Sequence, residues 1–306
     1  MNIDTPSSRP QASLRGVAVV ANPASGSSSD EEQLRDAFAQ AGVEATWMPT
    51  TPDDPGIGQA AQAVADGIET IVACGGDGTV RAVLQSVAGT ATVLGVVPLG
   101  TGNLLAGNLE LPAGLDAVHT AVHGIPIHMD VGVVNEERFV VMAGVGFDAL
   151  MIRDASPGLK KRLGTVAYVL SGARNLHSRL FHAVVSCDGK EIFRGRTAMV
   201  LVGNCGTVSG GLKAFPDAQP DDGMLDIAVL AARGVRQWSS VGWRLLRGRA
   251  QRDDLVHRSQ ASEVAVVLSR PVAYELDGEV RDAASELRFT IEPSALTVRA
   301  PIPASP

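Results

Sequence analysis

Three glycine-rich turns in the first half of the chain have the composition of loops that hold phosphate. They are NPASG at 22–26, GGDGT at 75–79 and GTGN at 100–103, and each stands between a predicted strand and a predicted helix. Glycine has no side chain to keep a phosphate from the backbone amides, and the first turn of a helix presents unpaired N–H groups to an anion. A tight strand–helix connection explains any one turn equally well, but three in one sheet favour a phosphate-binding cradle.

Asp77 is the unexpected residue of the GGDGT turn, because a carboxylate repels phosphate unless a cation lies between them. Mg²⁺ binds carboxylate, water and phosphate oxygens together, so Asp77 is a candidate to face a metal. The alternative is that Asp77 caps a helix beginning near Thr79, and the two roles are compatible. No GxxxxGK[ST] pattern is present, which argues against a P-loop nucleotide triphosphatase.

Composition narrows the class of protein. The chain has 306 residues, 45% of them hydrophobic, and a formal net charge of −7, which together favour two domains and argue against nucleic-acid binding. Cys74, Cys187 and Cys205 follow no metal-ligand spacing and are predicted to be buried thiols in a reducing compartment. Residues 1–15 lack the apolar core of a signal peptide and are predicted to be a disordered lead-in. We therefore expect a cytoplasmic protein, with contact to the inner face of the membrane left open.

Strand and helix patterns divide the chain into two regions. From 16 to 127 they alternate, which predicts a doubly wound parallel sheet with loops for a ligand at the carboxyl ends of its strands. From 128 to 295 short alternating strands dominate, which predicts a β-rich second domain with a hairpin at the DG pair 188–189. A helix is predicted at 159–177, and the closing strand at 296–306 is a candidate to return to the first domain.

The three turns resemble those of the diacylglycerol kinase catalytic-domain family, which also includes sphingosine kinases, ceramide kinases and bacterial lipid kinases. FPDAQPDDGMLDIAVL at 215–230 and ELDGE at 275–279 look like that family's C-terminal signatures, in the expected order. GGDGT alone is shared with NAD kinases, whereas the series of five motifs is specific. The resemblance implies a NAD kinase/diacylglycerol kinase-like first domain, a sandwich-like second domain, and a Mg²⁺- and ATP-dependent kinase acting on the hydroxyl of a diacylglycerol-like or sphingoid lipid.

Carried over by position, the resemblance implies an ATP site and a structural metal site. The implied nucleotide contacts are Asn22, Ser25, Gly26, Thr51, Gly75, Gly76, Asp77, Gly78, Thr79, Val80, Arg81, Thr101 and Asn103. Thr50 is the alternative to Thr51. The implied structural Mg²⁺ site takes the side chain of Asp222 and backbone oxygens of Gln219 and Met224, whereas the residues alone would indicate a solvated turn.

The ELDGE motif contains the catalytic candidates. Asp277 and Glu279 are two residues apart, so on an extended strand their side chains would share one face, while Gly278 admits a ligand or a sharp bend. The alternative is an ordinary DG turn. The resemblance implies that this motif provides the general base for the lipid hydroxyl. We assign the base to Glu279 and metal and hydroxyl positioning to Asp277, with the reverse as an alternative, and Asp77 completes the catalytic set.

The chain departs from the family pattern in two of the turns. Ser27 stands where many bacterial diacylglycerol kinases have lysine, and in GTGNLLAG Leu104 and Gly107 replace an aspartate and an arginine. Two cationic groups are therefore missing. These departures keep two alternatives open: a kinase for a soluble alcohol, such as a sugar or an NAD kinase-like substrate, and a catalytically silent nucleotide- or lipid-binding sensor.

A basic segment at 233–252 is the predicted site of contact with a membrane surface that presents the lipid substrate. It contains six arginines, Trp238, Trp243 and no acidic residue, a composition that suits an anionic lipid interface. Nearby cations that would extend it are Lys160, Lys161, Arg162, Arg174 and Arg179. A surface helix with its tryptophans packed on the β-rich domain is the alternative, and the sequence leaves a homodimer open.

Overall fold

The computed structural model describes residues 16–22, 28–146, 180–208, 212–230 and 256–302. The lead-in at 1–15 and the first-turn residues Ser25, Gly26 and Ser27 lie outside this part of the chain. The other predicted features outside it are the helix at 159–177, the cations Lys160, Lys161, Arg162, Arg174 and Arg179, and the basic segment 233–252 with Trp238 and Trp243.

The first half alternates strands and helices, as its hydrophobic pattern predicts. The strands are β1 (Val17–Ala21), β2 (Ala45–Pro49), β3 (Thr70–Gly75) and β4 (Val93–Pro98). The helices are α1 (Ser28–Gln40), α2 (Ile57–Ala65), α3 (Asp77–Val87), α4 (Leu104–Asn108) and α5 (Val118–His123), with a 3₁₀ turn at Gly114–Ala117 before α5.

The four strands form a parallel sheet in the order β2–β1–β3–β4. Because side chains alternate along a strand, Ala18 and Val20 share a buried cluster with α2 and α3, whereas Val17 and Val19 share one with α1 and α5. The buried residues of α3 recur at helical spacing, at Val80, Val83, Leu84 and Val87. Helices therefore cover both faces of the sheet, which confirms the predicted doubly wound architecture.

The second half is built mainly from antiparallel strands. They are β5 (Ile125–Val134), β6 (Glu137–Phe139), β7 (Met142–Gly146), β8 (Phe181–Cys187), β9 (Lys190–Thr197), β10 (Met199–Gly203), β11 (Thr207–Val208), β12 (Leu212–Lys213), β13 (Leu225–Leu230), β14 (Val256–Ala261), β15 (Glu263–Leu276) and β16 (Glu279–Ala300). Asp188 and Gly189, with φ of 48° and 77°, make the predicted hairpin between β8 and β9.

Strand β16 joins the two halves. It pairs antiparallel with β15 and β5, and near its end Thr297 lies opposite Val93 in a parallel pairing with β4. The main path of the sheet is β14–β13–β10–β7–β15–β16–β4–β3–β1–β2, with β5, β6, β8 and β9 attached beside it. The hairpin that leads into β16 lies close to the start of α3, because Glu279 lies against Gly78.

The core of the second half is apolar and centred on the β15–β16 hairpin. Phe139 packs edge-on against Phe289 with ring centroids 6.5 Å apart, within a cluster that also contains Phe181, Leu225 and Leu276. The three cysteines are free and buried, as predicted, and burial raises the pKa of the Cys74 and Cys205 thiols. None of the helices in the described part of the chain has the length and apolar character needed to span a bilayer.

Candidate active site

The loops that follow β1, β3 and β4 meet at one edge of the parallel sheet. The Asn22 N–H donates to the Cys74 carbonyl at 3.2 Å, and the Leu99 N–H donates to the Gly75 carbonyl at 2.9 Å. Gly76 and Gly100 touch, since a Cβ on Gly76 would lie 3.3 Å from the Gly100 Cα. The glycines of these turns thus also allow two loops to approach each other, a reason that their sequence does not reveal.

Asn103 fixes the shape of the GTGN loop. Its amide accepts the Gly100 N–H at 3.1 Å and donates to the Gly100 carbonyl at 2.8 Å, and its own backbone has a φ of 47°. Asparagine is one of the few residues that adopt this left-handed conformation readily. Asn103 therefore shapes the loop, while the neighbouring Thr101 is exposed to solvent.

Asp77 is the first residue of α3, two positions before the predicted start of that helix. The predicted capping of α3 by Asp77 is wrong: its Oδ1 accepts the Leu104 N–H at 2.6 Å, at the start of α4. Burial raises the pKa of Asp77, backbone N–H groups including that of Leu104 oppose the rise, and the charge of Glu279 adds to it. Asp77 is therefore a carboxylate held between two loops and repelled by a second carboxylate.

Asp277 and Gly278 form the two-residue turn between β15 and β16. Their φ angles are 44° and 89°, and Leu276 pairs with Glu279 across the turn. Both central residues with positive φ are the mark of the DG hairpin. The expectation that Asp277 and Glu279 lie on one extended strand is therefore wrong, and the alternative of a DG turn is confirmed.

The Asp277 carboxylate is 3% exposed and binds the turn before β7. Its Oδ2 accepts the Val140 N–H at 2.8 Å, and its Oδ1 accepts the N–H groups of Val141 and Met142 at 2.9 and 3.0 Å. Burial nevertheless raises the pKa of Asp277 to about 6, the three amides oppose the rise, and the Asp77 charge adds to it. Asp277 thus ties the hairpin to the β-rich half of the protein.

The raised pKa of Asp277 predicts a pH dependence of stability. Between the usual pKa of 3.8 and about 6, the folded state binds a proton that the unfolded state has released, so the free energy of unfolding falls as pH rises, by at most about 3 kcal/mol. We expect Asp277→Asn to lack this contribution. Urea unfolding in EDTA at pH 4.5 and pH 7 measures it, and identical pH slopes for variant and wild type would contradict the assignment.

Glu279 lies over the start of α3. A Cβ added to Gly78 would overlap its Oε1, while its Oε2 forms an ion pair with Arg81 and another with Arg281 at 3.3 Å. Its side chain is 39% exposed, so solvent and a substrate can reach it. Asp77, Asp277 and Glu279 thus lie near one another. The charge of Glu279 adds to the raised pKa of Asp77, and the charge of Asp77 adds to the raised pKa of Asp277.

The contact between Gly78 and Glu279 gives a prediction with a matched control. Gly78→Ala is expected to displace the Glu279 carboxylate and to lower activity about tenfold or more, since misplacement by about 1 Å can cost about 10²-fold. A Cβ at Gly107 meets nothing within 4 Å, so Gly107→Ala is expected to leave activity unchanged. Steady-state phosphorylation rates and circular dichroism check both variants, and equal activity would remove the contact from the mechanism.

The other predicted nucleotide contacts follow the same edge. Thr51 is exposed and its Oγ1 accepts the Asp54 N–H at 3.0 Å, whereas Thr50 is buried. Thr79 and Val80 are also buried, and the Thr79 side chain packs against Gly75. Of the departures, Leu104 is the first residue of α4 and packs into the core, and Gly107 is exposed.

The turn predicted to hold a structural metal leads into β13. The Asp222 Oδ1 accepts the Met224 N–H at 2.9 Å and is exposed, and Gln219 and Asp222 line a groove of about 360 Å³. The turn is anchored by Asp130, whose Oδ2 accepts the Gly223 N–H at 2.6 Å and whose Oδ1 accepts the Ser294 N–H at 2.7 Å. Sequence reasoning missed Asp130, although a single carboxylate within an apolar strand was the available signal.

The carboxylates suit a divalent cation by charge. Within the described residues, no three His, Cys, Asp or Glu side chains are arranged to hold a metal by themselves. Mg²⁺ in phosphoryl-transfer sites usually takes only one or two carboxylates, and phosphate and water complete its shell. Burial raises the pKa of both Asp77 and Asp277, and repulsion from Glu279 and from Asp77, respectively, adds to the rise. A nearby cation favours the charged form of a carboxylate, so these residues fit the ion.

Known protein families match both halves of the chain. The family model of the diacylglycerol kinase catalytic domain matches residues 16–134, and that of the YegS C-terminal NAD kinase beta sandwich-like domain matches 140–300. A diacylglycerol kinase of Bacillus subtilis (strain 168) is 32% identical over 274 residues, covering 87% of this chain and 90% of that protein. A probable lipid kinase YegS-like of Pseudomonas putida is 33% identical, covering 88% of each chain.

Solved structures agree on the fold. The crystal structure of a diacylglycerol kinase from Bacillus anthracis str. Sterne superposes with a TM-score of 0.77 at 21% identity, covering 95% of this chain and 98% of that chain. An NAD kinase from Archaeoglobus fulgidus in complex with ATP gives 0.51 at 13% identity, covering 92% and 93%. These similarities confirm the expected two-part fold, with a doubly wound first half and a sandwich-like second half.

Proposed function

This chain belongs to the diacylglycerol kinase catalytic-domain family of lipid kinases, which are phosphotransferases with an alcohol acceptor. We propose that it transfers the γ-phosphoryl group of ATP to the hydroxyl of a diacylglycerol-like or sphingoid lipid. The observation that carries the proposal is the convergence of Asp77 and Glu279 at the start of α3, between the GGDGT and GTGN loops. Mg²⁺ is the proposed cofactor, held on Asp77.

Each part of the site has a task in this proposal. The backbone N–H groups at the start of α3 face the phosphates, together with Thr101 and Thr51 from the neighbouring loops. Glu279 accepts the hydroxyl proton of the lipid while that oxygen forms a bond to the γ-phosphorus and the bond from phosphorus to the ADP oxygen breaks. The bound cation supplies charge neutralisation, which together with alignment is most of what phosphoryl transfer requires.

Asp277 has a mainly structural part in the proposed mechanism. Both of its oxygens accept backbone N–H groups, so its carboxylate is already engaged, and it acts by holding the turn that carries Glu279. Metal and hydroxyl positioning by Asp277 stays a prediction, as does the structural Mg²⁺ at Gln219, Asp222 and Met224.

A lipid-panel assay tests the proposed function. The purified protein is incubated with [γ-³²P]ATP and MgCl₂ and with mixed micelles of diacylglycerol, sphingosine, ceramide or monoacylglycerol, and products are separated by thin-layer chromatography. We expect one lipid class to be labelled and EDTA to abolish the labelling. If soluble alcohols are labelled instead, the acceptor is wrong. If nothing is labelled under any condition, the sensor alternative replaces the enzyme.

A soluble alcohol is the second candidate acceptor, and the departures at Ser27 and Gly107 favour it. They remove two cationic groups that would contact a phosphate or a lipid headgroup in the related pattern. NAD, glycerol and hexoses in the same assay decide between the candidates. Retention of Asp77, Asp277 and Glu279 supports turnover over a silent sensor.

Membrane contact is proposed through the basic segment 233–252, whose composition is its support. Trp238→Ala combined with Trp243→Ala is expected to reduce the amount of protein that sediments with vesicles containing anionic lipid. The double variant is expected not to bind neutral vesicles. Binding equal to that of the wild type would show that the tryptophans pack internally. The proposed homodimer is tested by analytical ultracentrifugation.

A further inference from the structure

Four charged side chains form a ring beside the start of α3. Arg81 of α3 pairs with Glu279 of β16 and lies 3.2 Å from Glu137 of β6, and Arg281 lies 2.9 Å from Glu137 and 3.3 Å from Glu279. The two arginine side chains are 12% and 20% exposed, and the two glutamates are 39% exposed. The ring contains two positive and two negative charges, so it is neutral as a whole.

The ring divides the two oxygens of Glu279 between different surroundings. Oε2 faces Arg81 and Arg281, whereas Oε1 lies against Gly78 at the start of α3. A guanidinium presents its donors in a fixed planar fork, so two of them restrain the rotation of a carboxylate more than a single contact would. The oxygen left for a substrate proton is thus the one directed at the glycine loop.

We propose that Arg281 is a positioning residue for the phosphoryl-transfer reaction, and that Glu137 holds it in place. This inference rests on the proposed function of Glu279 as the proton acceptor. Neither residue was singled out by the sequence. Both Glu137 oxygens accept the Arg281 Nε–H, at 2.9 and 3.1 Å, so Glu137 fixes the position of the Arg281 side chain. Arg281 follows Glu279 by two positions on the same strand, so it moves with the hairpin.

The ring also links β6, β16 and α3 to one another at the site. Glu137, Glu279 and Arg81 come from these three elements, and the pairs they form join residues up to 198 positions apart. Without Arg281, Glu137 and Glu279 would share Arg81 alone, and their mutual repulsion would turn Glu279 away from Gly78. Activity should therefore fall even though the substrates still bind.

The test compares Arg281→Met, Arg281→Lys and Glu137→Gln with Arg288→Met as control. Arg288 lies on the same strand and pairs with Glu263 at 3.7 Å, far along β16 from the hairpin. We expect Arg281→Met to lower kcat by about 10²-fold, which is the cost of a small misplacement, with the KM for ATP within about twofold of wild type. Arg281→Lys should recover part of kcat, Glu137→Gln should lower it less, and added guanidinium at millimolar concentration should partly rescue Arg281→Met.

Two results would overturn the inference. A raised KM for ATP with unchanged kcat would show that Arg281 binds the nucleotide, and an unchanged kcat and KM would remove it from the reaction. An activity-independent arm separates this inference from the proposed function: a double-mutant cycle of Arg281→Met and Glu279→Gln, read by urea unfolding. If the wild type phosphorylates no lipid, the proposed function fails by itself. Additive changes in the free energy of unfolding would then overturn the Arg281–Glu279 pairing, and non-additive changes would support it.

Discussion

Replacing Asp77 by asparagine is expected to lower kcat about 10³-fold while the folded protein becomes no less stable at pH 7. Asparagine keeps the oxygen that accepts the Leu104 N–H at 2.6 Å, so the two loops stay joined. It removes a charge whose pKa burial has raised and which Glu279 repels. Activity would fall because the proposed cation would lose its carboxylate ligand and with it the charge neutralisation of the phosphates. Stability would be kept because a costly buried charge is removed.

The measurement is the initial rate of lipid phosphorylation at saturating ATP, together with urea unfolding at pH 7. Asp66→Asn is the matched control: Asp66 ends α2 and its Oδ1 accepts only from Gln62, at 2.8 Å, among the contacts described. If Asp77→Asn keeps a rate within tenfold of wild type, Asp77 has a loop-joining role alone. If it loses both activity and stability, the charge itself is needed by the fold.

Replacing Glu279 by glutamine is expected to lower kcat by about 10²- to 10⁴-fold, the usual contribution of a general base. Glutamine keeps the size of the side chain and one acceptor for the arginines, but it cannot take up the hydroxyl proton. The folded state should persist, because the 39% exposed side chain contributes little to the core. Unchanged ATP binding by calorimetry would show that only the chemical step is affected.

Glu292→Gln is the control for this prediction, since Glu292 pairs with Arg138 at 2.8 Å, lies on the same strand as Glu279 and is outside the site. The comparison with Asp277→Asn assigns the base. If Glu279→Gln stays within tenfold of wild type while Asp277→Asn is folded and inactive, the two roles are reversed. The three backbone N–H groups on the Asp277 carboxylate argue that Glu279, and not Asp277, takes the proton.

Much of the fold could be predicted from local pattern. The alternation of apolar strands with amphipathic helices indicates a parallel sheet wherever it occurs, because parallel strands need crossover connections. Gly76 and the DG pairs at 188–189 and 277–278 indicated turns, because positive φ and the absence of a Cβ are properties of single residues. The predicted start of α3 is two residues late, since Asp77 and Gly78 are weak helix formers held there by loop contacts.

The contacts of the site residues could not be predicted from local sequence patterns. Asp277 binds amides 135 to 137 positions earlier in the chain, and Arg281 meets a glutamate 144 positions away. No spacing rule connects such residues, because their distance depends on where β6, β7 and β16 enter one sheet. Sequence reasoning therefore found Glu279 by its motif and missed Glu137 and Arg281, which belong to no motif.

The sequence by itself determined the secondary-structure alternation, the three glycine-rich turns and the identity of three acidic candidates. These depend on properties that a residue carries with it: side-chain period, conformational freedom and charge. Only the tertiary structure decided which acid is buried and engaged, which one faces the glycine loop, and which arginines hold it. Those outcomes depend on desolvation and on contacts across the sheet, and both arise only when β15 pairs with β7 and β16 pairs with β5.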